Sequence, residues 1–158
     1  MIFMGVLDAD IAAFMNDLDG VIDEAMELKV RDAAAGYIQA AVITEVYMKY
    51  EPKGYDRKMD KHGLADIREA PSGSIESHYE SQTKTLTVEN VREDWEPTMR
   101  KHEGRNVAKV VESGEGYDWR QIKPRPFHKI AEENLIRGGD VDFHIEETFK
   151  QRMGAWSR

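Results

Sequence analysis

Residues 8–50, DADIAAFMNDLDGVIDEAMELKVRDAAAGYIQAAVITEVYMKY, decide the fold class. Ile11, Phe14, Leu18, Ile22 and Ala25 recur at three- and four-residue steps, which lays one apolar stripe along a helix. Asp8 stands where a short side-chain oxygen can accept from the free amides of a first turn. Gly20 interrupts the pattern and predicts a kink or a split. Beyond it the stripe changes phase, to Val30, Ala34, Tyr37, Ala41 and Met48. The small side chains of Ala33-Ala34-Ala35-Gly36 predict close packing against a neighbouring element. Pro52 and Gly54 end the helical pattern.

Working outward, residues 53–62 are charged and rich in turn formers, which predicts a mobile polar loop. Leu64, Ile67, Ile75 and Tyr79 follow among polar residues, with Pro71-Ser72-Gly73 as a turn signal. Residues 84–91 alternate and are rich in Thr and Val, which predicts a half-buried strand. Val107 to Glu112 predicts another strand, closed by a loop around Gly114, Gly116, Pro124 and Pro126. Helix returns with Phe127, Ile130, Ala131, Asn134 and Leu135 on one face and Pro126 near its first turn. Gly138-Gly139 breaks it, and Asp140 or Asp142 caps a last helix carrying Phe143, Ile145, Phe149 and Met153. The expected fold is α+β, a long N-terminal helix and C-terminal helices packed on an antiparallel β-sheet. The length of 158 residues predicts a single domain spanning 1–158.

Composition narrows the function. The absence of cysteine excludes disulfides and thiolate metal sites. No apolar run approaches a membrane span, and the N-terminus lacks the basic region of a signal peptide. The net charge of −8, from 30 acids against 22 bases, opposes a genome-binding face and suits an acidic surface. The five histidines are His62, His78, His102, His128 and His144, and no two are three or four apart, so no helix presents a ligand pair. Ser113-Gly114-Glu115-Gly116 is glycine-containing but acidic and reads as a turn rather than a phosphate cradle. Glu112 and Glu115 form a nominal carboxylate pair, but a wet loop beside two glycines would not split their pKa values. The expectation is therefore no catalytic residue, no metal and no cofactor.

The segment around Tyr117, Trp119 and Phe127, interleaved with Arg120, Lys123 and Arg125, carries more information. Stacking plus charge also serves single-stranded nucleic acid, but aromatics and Arg are favoured at the centres of protein interfaces. Glu112, Tyr117, Trp119, Arg125 and Phe127 are the candidate subunit-contact residues, with Phe127 also expected to pack its helix onto the sheet.

Val110-Val111-Glu112-Ser113-Gly114, Gly116-Tyr117-Asp118-Trp119, Pro124-Arg125-Pro126-Phe127 and Ala131-Glu132-Glu133-Asn134-Leu135, in that order, resemble a phage tail-component family. It comprises tail-completion and head–tail joining proteins of long-tailed phages and prophages. Glu51 to Tyr55 stands where its members often carry Pro-x-x-Thr-Gly. The resemblance implies a non-enzymatic virion protein of the neck, a ring-forming tail-completion, head–tail joining or tail terminator subunit. The implied partners are its own copies, as a ring and commonly a hexamer, with tail-tube and connector or portal-side proteins. DNA would only pass through the channel, no membrane is involved, and assembly would occur in the bacterial host cytoplasm. The alternative is a small acidic intracellular adaptor or regulatory binding domain docking on a basic partner.

Overall fold

In a computed structural model, described for residues 3–49, 63–92, 106–114 and 123–156, one helical rod runs from Phe3 to Tyr47. Its parts are α1 (Phe3–Glu24), a π-helical segment (Ala25–Val30), α2 (Arg31–Ala41) and a second π-helical segment (Val42–Tyr47). The change of phase in the apolar stripe has its cause here. A π turn accommodates more residues than an α turn, so the buried face is handed from Ala25 to Val30 in a step of five. Gly20 does not break the helix, and Asp8 lies within α1 rather than capping it. The expected stripe is corrected as well. Val21 and Ala25 are buried, but Ile11 and Phe14 are 59% and 48% exposed.

A hairpin follows, β1 (Ile75–Glu80) and β2 (Thr85–Asn90), antiparallel with Ile75 opposite Asn90 and Glu80 opposite Thr85. Lys84 closes the turn at φ +53°, a left-handed conformation that costs an L residue energy. The strand expected over 84–91 is present, and burial alternates along it. Among the described residues the sheet has these two strands alone, so the α+β fold is helix-dominated.

The expected strand at Val107 to Glu112 is instead α3 (Val107–Ser113). Asn106 caps it, its side chain accepting from the Lys109 amide at 3.0 Å. Gly114 ends it at φ +73°, its amide donating to the Val110 carbonyl. Buried Ala108 and Val111 stand three apart, the spacing of a helix face. The valines' β preference is overridden by these two caps and by burial.

Then come α4 (Phe127–Gly138) and α5 (Asp140–Trp156), separated by Gly139 at φ +73°. The expected face of α4 is buried at Phe127 and Ala131 and half-buried at Ile130 and Leu135, while Asn134 is exposed. The core lies between α2 and α4. Ala35, Ile38, Ala41, Val42 and Val46 meet Phe127 and Ala131, with Leu64, Ala65, Ile75, Ala108 and Val111 filling the flank. Ala35 sits in the small-residue run, as close packing requires. Residues 53–62 lie outside the described residues. No helix of the described residues is long and apolar enough to cross a membrane.

Candidate protein–protein interface

Tyr117 and Trp119 lie outside the described residues, but both ends of the segment that carries them are fixed by a clamp. On one side α3 stops at Gly114; on the other, residues 123–126 run irregularly into α4. The Arg125 amide donates to the carbonyls of Val111 and Glu112, at 3.2 and 3.0 Å. These bonds tie the end of α3 to the start of α4. The Arg125 guanidinium reaches across to the Val46 carbonyl at 3.2 Å. That carbonyl is one of the last in the long helix, where helix ends call on side chains as partners. Arg125 is therefore half-buried as a cap for a distant helix end.

Glu112 performs the matching task for α4. One carboxylate oxygen accepts from the His128 amide at 3.1 Å, and the other lies 2.7 Å from His128 Nδ1. An anion at a helix N-terminus satisfies free amides and meets the positive end of the helix dipole. His128 Nε2 accepts from the Asn90 amide at 2.9 Å. A backbone amide can only donate, so Nε2 is the bare nitrogen and Nδ1 carries the proton given to Glu112. The resemblance to an acid–base dyad ends there, since the nitrogen a general base would use already holds a backbone amide. Asn90 is 1% exposed and completes the joint, its side-chain amide donating to the Leu64 carbonyl at 2.6 Å.

Phe127 is fully buried in the core cluster and stacks at 4.4 Å between ring centroids on His128. It anchors α4, and its ring has no surface left for a neighbour. The clamp thus gathers Glu112, Arg125 and Phe127, as the sequence grouped them, but commits all three internally. His128 and Asn90 were not anticipated. An Asn ending a strand and a His one residue after a helix start carry no distinctive spacing.

The outward-facing chemistry lies elsewhere. Ile136 on α4 and Phe143 on α5 are 67% and 59% exposed, and Ile11, Phe14 and Met15 line one side of α1. Among the described residues no three His, Asp or Glu gather as a metal site. An open cleft of about 390 Å³ between the first π segment and the hairpin is lined by charges of both signs, including Glu27, Arg31 and Glu69.

The family model YomN matches residues 10–153. The chain belongs to the YomN family. That family is associated with phages and prophages, so the protein is of phage origin. No curated protein matches the chain, and no solved structure does. The YomN match runs from within α1 to within α5 and includes the hairpin and the clamp.

Proposed function

We propose that this YomN-family chain is a structural subunit of the phage particle, acting at the neck as a ring-forming tail-completion, head–tail joining or tail terminator protein. The observation that carries the reading is large apolar side chains facing solvent on three helices, Phe14 on α1, Ile136 on α4 and Phe143 on α5. Such side chains are available to be buried against other chains. Phage origin and the ordered resemblance of residues 107–135 to tail-completion proteins support the neck in particular.

In this reading the clamp is scaffolding. Glu112, Arg125 and Phe127 hold the two ends of the segment bearing Tyr117 and Trp119, which supplies the aromatic contact between subunits. The acidic balance of the chain suits a passage that must not retain DNA. The test is native mass spectrometry and negative-stain imaging of the purified protein alone and mixed with tail tubes or connectors. Rings seated on either one support the proposal. A chain that stays monomeric and binds neither overturns it. Trp119→Ala should weaken ring formation while leaving the helical circular-dichroism signal intact.

A further inference from the structure

We infer that the N-terminal half of α1 is a docking helix for a basic amphipathic helix of another protein. This goes beyond the neck assignment and holds wherever in the particle the chain sits. Ile11, Phe14, Leu18, Val21 and Ala25 follow each other in alternating steps of three and four, the a/d seam of a coiled coil. In sequence the same steps continue back through Leu7 and Met4.

Part of this seam is already a helix–helix interface. Val21 and Ala25 are 3% and 0% exposed where α5 packs on the rod. Lys29 pairs with Glu147 and Glu24 with Arg152, so α5 runs antiparallel to the rod. The last residue of α5, Trp156, lies about one helical turn beyond Arg152. Past that point the seam opens, and Ile11 and Phe14 face solvent. One continuous stripe is therefore covered by the chain's own helix at one end and uncovered at the other.

Charge selects the occupant. Every charged residue of α1 is acidic: Asp8, Asp10, Asp17, Asp19, Asp23 and Glu24. Those at the covered end are matched, Asp19 and Asp23 by Lys84 and Glu24 by Arg152. At the open end Asp17 has no basic partner among the described residues. In the heptad register Asp17 and Glu24 both take the g position, which faces the flank of a partner helix. An antiparallel second copy would set these acids against one another. A parallel copy would set Asp17 against Ile22. A helix with Lys or Arg beside an apolar seam satisfies both the stripe and the acids.

The test uses the full chain and two synthetic three-heptad peptides, each with Leu and Ile at a and d. One carries Lys at e and g, the other Glu. The Lys peptide should bind with an affinity that falls as salt rises, and the Glu peptide should not. Ile11→Asp combined with Phe14→Asp should weaken the Lys peptide at least about a hundredfold, with the thermal midpoint unchanged because both positions are exposed. Asp17→Lys should weaken it about twofold. Three results would overturn the inference: no binding of the Lys peptide, equal binding by the doubly substituted chain, or a sedimenting dimer of the full chain that the double substitution dissolves.

Discussion

Asp23 on α1 gathers three donors from the hairpin: the Tyr79 hydroxyl at 2.6 Å, the Ser81 hydroxyl at 2.8 Å and the Lys84 ammonium at 2.7 Å. Chiefly through Lys84, then Tyr79, they hold its carboxyl at about 2, below the ordinary 3.8. A carboxylate depressed in the folded state stabilises the fold fully above its unfolded value and loses that contribution as pH falls through the folded value. The window is therefore about pH 4 down to about pH 2. Asp23→Asn should cost roughly 1 kcal/mol at pH 7 after allowance for solvent screening, and almost nothing more at pH 2. Thermal unfolding of both chains across that range checks it. Tyr79 runs the opposite way. Burial, then Asp23, pushes its hydroxyl up to about 12, so its donation is complete below pH 10 and is lost as pH rises through 12. At the clamp, His128→Leu would strand the Asn90 amide and the Glu112 oxygen that faces Nδ1, while the other Glu112 oxygen keeps the backbone amide of residue 128. Stability measured by urea unfolding should fall by about 2–4 kcal/mol. None of this was legible in the sequence, because Asp23, Asn90 and His128 find their partners across long chain separations with no local spacing to announce them.

At the scale of elements, two glycines in helices should respond oppositely to the same change. Gly36 lies inside α2 with nothing within 4 Å of a built Cβ, so Gly36→Ala should stabilise the chain by about 0.5–1 kcal/mol through helix propensity. Gly138 ends α4, where a Cβ would stand 2.6 Å from the Tyr37 hydroxyl and 2.9 Å from the Asp140 carboxylate. Those two groups share a 2.5 Å hydrogen bond that joins the rod to α5, and it raises the Tyr37 pKa. Gly138→Ala should break that bond or push α5 outward, and cost about 1–3 kcal/mol. Paired thermal melts of the two variants decide both. The long helix, the 85–90 strand, the turn near Pro71 and the break at Gly139 were all readable from periodicity and turn chemistry. The strand misassigned at α3 shows the limit of that reading. Asn106 and Gly114 bound it as helix caps, but a short valine-rich run between turn formers reads as strand from periodicity alone. The N-terminal stripe reads as apolar and helical, but its spacing does not say what it packs against. A seam that packs inside the chain and one left for a partner have the same period, and only the extent of α5 separates them.

For the whole molecule, the fold is a π-interrupted rod braced by the hairpin and α5 around its middle and by α4 along its C-terminal half. The clamp at α3 and α4 holds its core-facing side. Buried Asn90 and Ser74 tie segments together, while large apolar side chains on α1, α4 and α5 face solvent. That division fits a part whose work is done through contacts with other chains, in keeping with its phage family. The most direct measurement is a reconstruction of the purified phage particle, with its protein content read by mass spectrometry. The expected result is the chain as a closed ring at the junction of head and tail, with α1 engaged by a neighbouring protein. Finished particles that lack the chain, or hold it away from that junction, would contradict it.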